Sequence, residues 1–297
     1  MARKKRGNPI HGWLIIDKVE GMGSTDVVRA IKRILHPQKI GHGGTLDPLA
    51  TGVLPIAMGE ATKTMPFILD STKVYEFGVK WGQATSTDDR EGDVIEASDV
   101  RPIEADIEGI LAAFTGEIQQ VPPAFSAIKV DGKRAYELAR RGDDVELKPR
   151  NIEVISLKLL QHDGDESHFE VVCGKGTYVR SLSRDMAVAL GTVGHASYIR
   201  RTRVGPFSLE GAISLEKLDE LSHIARALEA VLPVATALDD IPALAVTADE
   251  AVRIKRGQQL RLPTERSGTM VLTSDGQVLA IVEVADGVAQ PVRVFNL

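Results

Sequence analysis

The chain has 297 residues, enough for one large domain and a second small one, and hydrophobic residues make up 43% of it. No apolar run approaches the roughly 18 residues of a membrane-spanning helix, and a single cysteine excludes an internal disulfide. The seven histidines include no pair at the spacing of metal ligands. These features predict a soluble, cytoplasmic, globular protein that binds no metal.

The formal net charge of −5 is unevenly distributed along the chain. Residues 85–108 contain nine acidic and two basic side chains, whereas residues 170–203 contain six basic and two acidic ones. Such segregation allows one face to contact phosphates while the opposite face stays acidic. Basic residues also commonly solvate a helix or loop surface, so charge alone leaves nucleic-acid binding open.

The first predicted elements follow a basic N-terminal tail, residues 1–10. Residues 13–16, Trp-Leu-Ile-Ile, indicate a strand. Ser24-Thr25-Asp26 offers an N-cap for a helix whose apolar positions fall on one face, at residues 27, 28, 31, 34 and 35. The loop that comes next therefore follows a strand and a helix.

That loop, Gly-His-Gly-Gly-Thr-Leu-Asp-Pro at residues 41–48, is the most informative stretch of the chain. Pro48 pushes Asp47 towards an extended conformation, and the three glycines permit positive φ or close approach of a ligand. A carboxylate held in this way can project into a cleft. Asp, Gly and Pro are also common turn residues, so the local sequence fits equally well an aspartate that only orders a turn.

The middle of the chain predicts a mixture of strands and one helix. Alternating apolar residues predict a strand at residues 74–81 that places Tyr75 on the same face as Phe77, Val79 and Trp81. Residues 152–161 and 168–173 predict further strands, and residues 178–190 predict a helix. We expect an α+β domain whose topology the pattern does not specify.

Two segments differ from this core. Residues 122–150 open with two prolines, contain an Asp131-Gly132 turn and carry seven basic and five acidic side chains, which indicates an excursion from the core or a solvated helical hairpin. Residues 247–250, Thr-Ala-Asp-Glu, form a capping box before a short helix that Gly257 can end. Strands predicted at 269–273, 278–282 and 292–295 then make a small, mostly-β module.

Four blocks of the sequence together resemble the bacterial tRNA pseudouridine-55 synthases, the tRNA pseudouridine synthase B family, in order and approximate spacing. They lie at residues 12–63, with GWLIIDKVEGMGS, GHGGTLDPLATGVLPI and GEATK, and at 74–92, 122–142 and 173–191. The resemblance implies an α+β pseudouridine synthase catalytic domain with a mixed sheet at residues 11–235. It also implies that 122–150 is an RNA-contacting insertion and that 240–297 is a PUA-like RNA-binding domain.

The same resemblance implies roles for six residues. Asp47 stands at the position of the catalytic nucleophile, Arg180 at that of the arginine that pairs with it, and Tyr75 at that of the active-site tyrosine. Substrate contacts are implied for His42, Tyr178 and Ile199. Lys63, at the end of the GEATK segment, is a further candidate contact to a phosphate or to the pocket. From its own chemistry a guanidinium such as that of Arg180 could grip the Asp47 carboxylate at two points or contact a surface phosphate.

The implied reaction is isomerisation of uridine to pseudouridine at position 55, in the TΨC loop of tRNA, with flipping of the target nucleotide. The implied reaction needs no cofactor. The resemblance implies tRNA as the partner, and we expect the protein to be a monomer without an obligatory protein partner. A non-catalytic RNA-binding module on the same scaffold is an alternative. A small-molecule glycoside-cleaving enzyme is another, although no second carboxylate stands in a comparable loop.

Overall fold

The structure, a computed structural model, describes residues 7–126, 128–130, 133–139, 141, 147–221 and 224–297. The basic run Arg3-Lys4-Lys5-Arg6 and the predicted Asp131-Gly132 turn lie outside the described residues. The α-helices are α1 (Ser24–Leu35), α2 (Met65–Asp70), α3 (Glu104–Leu111), α4 (Ala135–Ala139), α5 (Val179–Ala189), α6 (Leu215–Glu220), α7 (Ile224–Glu229) and α8 (Ala248–Lys255). Short 3-10 helices cover Gly59–Lys63, Ala112–Phe114, Leu209–Gly211 and Val234–Leu238.

The strands of the N-terminal part are β1 (Gly12–Lys18), β2 (Ile40–His42), β3 (Thr51–Met58), β4 (Lys73–Trp81), β5 (Gln83–Thr85), β6 (Val94–Ala97), β7 (Gly116–Gln120), β8 (Lys129–Val130), β9 (Lys133–Arg134), β10 (Arg150–His162), β11 (Glu166–Cys173), β12 (Gly194–Val204) and β13 (Phe207–Ser208). Those of the C-terminal part are β14 (Ala243–Ala245), β15 (Leu260–Arg261), β16 (Gly268–Ser274), β17 (Gln277–Ala285) and β18 (Val288–Val294).

A nine-stranded mixed sheet forms the centre of the molecule. Its strand order is β1-β3-β12-β4-β11-β10-β7, with β2 added to β3 and β13 added to β12. The pairing of β3 with β12 is parallel and the other pairs are antiparallel. The predicted α+β class with a mixed sheet is confirmed, and β4, which carries Tyr75, lies in the middle of the sheet.

Strand β4 shows why its alternating sequence specifies its position. Phe77, Val79 and Trp81 are fully buried, and Phe77 stacks on Phe169 of the neighbouring strand β11. The Trp81 indole N–H donates to the Ser167 hydroxyl at 2.8 Å, so its polar atom is satisfied inside the core. Tyr75 shares this face but is only half-buried, because the sheet opens there onto a cavity.

Helix α1 begins differently from the sequence prediction. Its N-cap is Gly23, with extended backbone angles, rather than a residue of Ser24-Thr25-Asp26. The Ser24 hydroxyl is unavailable for capping because it donates to the Leu46 carbonyl at 2.9 Å and accepts from the Leu46 N–H at 2.8 Å. The hydroxyl that was predicted to start a helix therefore holds the Asp47 loop.

The segment at residues 122–150 leaves the main sheet, as predicted. Its described part contains the two-stranded pair of β8 and β9, separate from the large sheet, followed directly by α4. Backbone bonds from Ala135 to Ile128 and from Tyr136 to Ser126 close this hairpin onto the start of the helix.

The C-terminal sheet has the order β14-β16-β17-β18-β15. Thr247 caps α8 through a capping box with Glu250, and Gly257 follows the helix with a φ of +76°, as the sequence predicts. Asp275 and Gly276 join β16 to β17 with φ of +51° and +74°, which matches the twist of a two-residue hairpin. The small mostly-β module is confirmed.

The two parts of the chain share one apolar cluster. Trp13 and Phe207 from the main sheet are buried together with Ile281 and Phe295 from the C-terminal sheet. The module is therefore packed onto the main sheet rather than joined to it by a linker alone. Among the described residues, no helix is both long and apolar enough to cross a membrane.

Candidate active site

A cavity of about 270 Å³ opens between the Asp47 loop, strands β4 and β12 and the start of α5. Five of the seven residues singled out from the sequence line it: Asp47, Tyr75, Tyr178, Arg180 and Ile199. They come from four separate elements, so only the fold brings them together. Its lining also includes Lys73, Arg201 and several small residues of the Asp47 and Gly174–Thr177 loops.

Arg180 pairs with Asp47, but not by the two-point grip expected from the sequence. Its Nη2 lies 2.8 Å from Asp47 Oδ2, and its Nη1 lies 3.4 Å from Asp89 Oδ2. The Arg180 side chain is 4% exposed, and the carbonyls of Thr87 and Phe125 accept from its two terminal nitrogens at 2.9 Å each. The guanidinium thus bridges two carboxylates and makes one contact with Asp47, while its buried Nε has no hydrogen-bond partner among the described residues.

Asp89 was not singled out from the sequence. Its side chain is 4% exposed, and its Oδ1 accepts from the Glu91 N–H at 3.0 Å and from the Thr87 hydroxyl. A buried carboxylate is tolerated only where it is paired and hydrogen-bonded, as here. Asp89 lies in the resembling block at residues 74–92, so that block could have indicated a role for it. The acidic residues around it suggested instead that its side chain was on a solvated surface.

The basic segment at residues 170–203 does not form an open phosphate-binding face. Besides Arg180, its pairs are Lys175 with Asp70 at 2.9 Å, Arg184 with Asp88 at 2.7 Å and Arg200 with Asp17 at 3.0 Å. Arg201 is buried against backbone carbonyls, while Arg203 is exposed. The acidic segment at 85–108 supplies Asp88 and Asp89, so part of each segment meets at the site.

Arg201 holds the Asp47 loop through hydrogen bonds to backbone carbonyls. Its Nε donates to the Val53 carbonyl at 2.8 Å and its Nη2 to the Gly44 carbonyl at 3.0 Å. Gly52 is required for this packing, because it has a φ of +97° and a Cβ there would lie 2.1 Å from the Arg201 carbonyl oxygen. Glycine and arginine together fix the loop that carries Asp47.

Lys18 holds the other side of the same loop. The side chain is almost completely buried, and its ammonium donates to the carbonyls of Val19 at 3.0 Å, Met22 at 2.8 Å and Pro48 at 3.1 Å. Burial lowers the pKa of Lys18 to about 8, although the Asp47 carboxylate opposes that shift. Lys18 lies in the first of the four sequence blocks, but no local pattern there indicates its role.

The two cavity tyrosines remain protonated near neutral pH. Burial raises the pKa of Tyr75, and burial together with the Asp47 charge raises the pKa of Tyr178. Gln120 clamps Tyr178 by accepting from its backbone N–H at 2.8 Å and donating to its carbonyl at 3.1 Å. Ile199 is 4% exposed and lies opposite Phe77 in the sheet, which gives the cavity an apolar wall.

Lys73 is a second buried lysine that was not singled out from the sequence. It lines the cavity, and its ammonium donates to the Leu69 carbonyl at 2.6 Å and to the Ser71 carbonyl. Burial, followed by the Arg201 charge, lowers the pKa of Lys73 to about 8. It ties the end of α2 to the rim of the cavity.

The structure does not bring His42 or Lys63 into the cavity lining. Burial, and then the Arg201 charge, lowers the pKa of His42, whose Nδ1 is buried without a partner among the described residues. The Lys63 ammonium donates to Glu60 at 2.6 Å and to the Val294 carbonyl of β18 at 2.7 Å. Lys63 therefore links the N-terminal part of the chain to the C-terminal sheet. Its positive charge is paired with the Glu60 carboxylate.

Comparison with known proteins decides the family. Residues 32–179 match the model of the TruB family pseudouridylate synthase N-terminal domain, and residues 180–239 match the tRNA pseudouridylate synthase B C-terminal domain. The tRNA pseudouridine synthase B of Rhodospirillum rubrum is 51% identical over 308 residues and that of Caulobacter sp. strain K31 is 50% identical over 311, each with 100% of both chains covered.

The chain belongs to the TruB family of tRNA pseudouridine synthases. It is therefore an enzyme that isomerises uridine to pseudouridine in tRNA, which removes the alternatives of a non-catalytic RNA-binding module and a glycoside-cleaving enzyme. Asp89 does place a second carboxylate near Asp47, but its buried bonds to Arg180 and Thr87 keep it from acting as the partner acid of a glycosidase.

Solved structures agree with this synthase in fold. The structure described as a Cbf5-Nop10-Gar1 complex contains a chain that is 26% identical, with a TM-score of 0.74 over 96% of this chain and 84% of that one. A second, described as an H/ACA RNP bound to a substrate RNA containing 2'-deoxyuridine, is 24% identical and has a TM-score of 0.75 over 100% and 92% of the two chains.

Proposed function

We propose that the synthase modifies uridine 55 in the TΨC loop of tRNA and that Asp47 is its nucleophile. The observation that carries this proposal is a carboxylate at a cavity of suitable size, held by an arginine that is itself almost completely buried. The reaction breaks the N1–C1′ bond, turns the uracil and joins C5 to C1′. The C5 proton is lost and N1 gains one, so no group donor or redox partner is needed.

Asp47 supplies the group that attacks or stabilises the detached sugar or base. Arg180 is a positioning residue, since its ion pair orients the Asp47 carboxylate. Arg180 is itself oriented by Asp89 and two backbone carbonyls. Tyr75 provides a face on which uracil stacks, worth about 1–3 kcal/mol, and its raised pKa keeps the hydroxyl available as a donor. Ile199 and Tyr178 complete the walls around the base.

Reaching such a cavity requires the uridine to leave its stack, at a cost of a few kcal/mol. His42 lies on β2, five residues before Asp47, and its lowered pKa favours a neutral ring. A neutral imidazole can take the stacking place of the extruded base, so we assign His42 to the RNA outside the cavity. Lys63 is left out of this assignment because its ammonium already bonds Glu60 and Val294.

The remaining roles concern the whole chain. We assign residues 11–235 to catalysis, residues 122–150 to an RNA-contacting insertion and residues 240–297 to a PUA-like domain that grips tRNA. The enzyme would act in the cytoplasm as a monomer without an obligatory protein partner. Similarity to the Rhodospirillum rubrum enzyme over 100% of both chains supports this division of the chain.

The test uses the purified protein alone with an unmodified tRNA transcript and no added cofactor. Chemical mapping of pseudouridine should find it at position 55, and a transcript with cytidine at that position should gain none anywhere in the T loop. Modification at another uridine, or activity only after adding a second protein, would reject the assignment of the site or of the lone chain respectively.

A further inference from the structure

Helix α5, which carries Arg180 into the cavity, begins without a cap of its own. Its N-cap residue is Tyr178, whose backbone is extended and whose side chain makes no capping bond, and its first turn contains no acidic residue. In a capping box the third helical residue accepts a hydrogen bond from the N-cap N–H. Here that residue is Ser181, whose hydroxyl donates to the Val121 carbonyl at 2.8 Å. The N–H of Tyr178 is therefore satisfied from another part of the chain.

Gln120 provides that partner from 58 residues away. Its Oε1 accepts from the Tyr178 N–H at 2.8 Å, and its Nε2 donates to the Tyr178 carbonyl at 3.1 Å. A side-chain amide suits this contact because it carries both an acceptor and a donor. Two bonds to one residue fix its orientation, whereas a single bond leaves it free to turn.

The Gln120 side chain is itself firmly held. It is 2% exposed, and Gln120 is the last residue of β7, where it lies opposite Arg150 of β10 in the main sheet. Gln120 thus connects the edge of the main sheet to the start of α5.

The residues before Tyr178 hold it less firmly than Gln120 does. In the loop at residues 174–177, Lys175 and Gly176 are exposed, and Gly176 has a φ of +82°. The Thr177 hydroxyl donates only within this loop, to the Gly174 carbonyl at 3.2 Å. The direction in which the Tyr178 ring enters the cavity therefore depends on the peptide geometry that Gln120 fixes.

We propose that Gln120 is a positioning residue for pseudouridine formation, which sets the Tyr178 ring against the base by holding both backbone groups of Tyr178. Tyr178 lines the same cavity as Asp47, whereas Gln120 is not among the described residues that line it, so its effect passes through Tyr178. A misplacement of about 1 Å at a reacting site can cost about a hundredfold in rate. This deepens the proposed function and rests on the Asp47 cavity as the active site.

Two variants of Gln120 and one matched control test this proposal. Gln120→Met removes both bonds at a similar side-chain length. Gln120→Glu keeps an acceptor for the Tyr178 N–H but sets a second acceptor against the carbonyl. Gln119→Met is the control, because it makes the same change at the exposed neighbour in β7. For each full-length protein we measure single-turnover pseudouridine formation at saturating unmodified tRNA, tRNA affinity and unfolding in urea.

We expect the rate of Gln120→Met to fall at least about tenfold while tRNA affinity stays near wild type. Gln120→Glu should keep more stability than Gln120→Met, because its carboxylate still accepts from the N-cap N–H at a helix N-terminus, yet its rate should also fall. Gln119→Met should match wild type in all three measurements.

A double-mutant cycle shows whether Gln120 acts through Tyr178. Once Tyr178→Ala has removed the ring, adding either change at Gln120 should lower the rate by less than about twofold. A role limited to stability would lower the free energy of unfolding and leave the rate of the folded enzyme unchanged in every background.

The proposal is wrong if folded Gln120→Met reacts as fast as Gln119→Met, or if Gln120→Glu keeps the wild-type rate. It is also wrong if the changes at Gln120 cost the same factor with and without the Tyr178 ring. If Gln120→Met does not fold, Gln120→Glu decides the question. Pseudouridine is counted at every uridine, so wild-type activity away from position 55 would reject the proposed site of modification and leave this comparison valid.

Discussion

At the scale of single residues, the decisive feature is a guanidinium that serves two carboxylates of different exposure. Asp47 is 37% exposed and faces the cavity, whereas Asp89 is 4% exposed and only orients Arg180. Arginine suits this position because its planar fork places two donors in fixed directions and it does not lose its charge in proteins. Asp47 is consequently positioned by a network rather than by one ion pair.

This network predicts that Arg180→Lys is nearly as damaging as Arg180→Ala. A single ammonium cannot reach Asp47, Asp89 and the carbonyls of Thr87 and Phe125 together, so we expect the single-turnover rate to fall at least a hundredfold, about 2.7 kcal/mol. Arg200→Lys is the matched control, since Arg200 pairs with Asp17 at 3.0 Å outside the cavity lining. A lysine variant within a few-fold of wild type would show that Arg180 has no geometric role.

A second prediction concerns pH and Lys18. The ammonium form donates to the carbonyls of Val19 and Met22 and to that of Pro48, which is next to Asp47 in the chain. Burial lowers the pKa of Lys18 to about 8. The protonated form predominates well below pH 8 and is lost as the pH rises through that value. The rate at saturating tRNA should therefore decline above about pH 8, a limb seen in a pH–rate profile.

Two methionine variants separate Lys18 from Lys73, whose pKa is also lowered to about 8. Lys18→Met should have a lower rate that no longer declines through this range, whereas Lys73→Met should keep the decline. The raised pKa of Tyr75 keeps that hydroxyl from titrating in this window. If the declining limb survives in Lys18→Met, Lys18 is not its cause.

At the scale of elements, the Asp47 loop depends on helix α1. The buried Ser24 hydroxyl satisfies both backbone groups of Leu46, so its loss leaves a buried N–H without its partner. We expect Ser24→Ala to cost about 1–3 kcal/mol of unfolding free energy in urea and to lower the saturating rate. Ser183→Ala is the control, because that buried hydroxyl donates to the Val179 carbonyl of its own helix and, among the described residues, holds no loop of the site. A normal rate in Ser24→Ala would show that the bond between Ser24 and Leu46 is not needed to position the Asp47 loop.

Elements with a strong local pattern could be predicted from the sequence. The alternation in β4 and the capping box of α8 depend on residues within a few positions of one another, and both were confirmed. Ser24 and Asp89 were misread because their partners are far away in the chain: Leu46 stands 22 residues from Ser24, and Arg180 stands 91 residues from Asp89. From the sequence alone, a hydroxyl before a helix is interpreted as a cap and a carboxylate in an acidic run as a surface residue. Only the fold shows their distant partners.

At the scale of the whole molecule, the acidic segment at residues 85–108 and the basic segment at residues 170–203 meet through two ion pairs, Asp89 with Arg180 and Asp88 with Arg184. The acidic and basic segments neutralise each other around Arg180 and Arg184. The periodicity of the sequence cannot predict these ion pairs, because they depend on how α5 packs against the loop at residues 86–93. Further exposed basic side chains lie on α8, at its C-cap and on β15: Arg253, Lys255, Arg256 and Arg261.

The shared apolar cluster predicts how removal of residues 240–297 would act. The truncated chain loses Val271, Val278, Ile281 and Phe295 from this buried cluster, so we expect a lower free energy of unfolding in urea as well as weaker tRNA binding. A full-length variant with glutamine at four exposed basic residues should separate the two effects: Arg253, Lys255, Arg256 and Arg261. It should bind tRNA more weakly while keeping normal stability and the normal saturating rate. Wild-type affinity in that variant would show that these four side chains do not bind tRNA.

The central claim is that the Asp47 carboxylate carries out the reaction, and single-turnover formation of pseudouridine 55 by Asp47→Asn tests it most directly. Asp17→Asn is a close control, since Asp17 has the same 37% exposure and is also paired with an arginine. We predict that Asp47→Asn loses more than about a thousandfold in rate, roughly 4 kcal/mol, while tRNA affinity and folding stay near wild type. The control should remain active. An Asp47→Asn enzyme that retains more than about a tenth of the wild-type rate would contradict the claim.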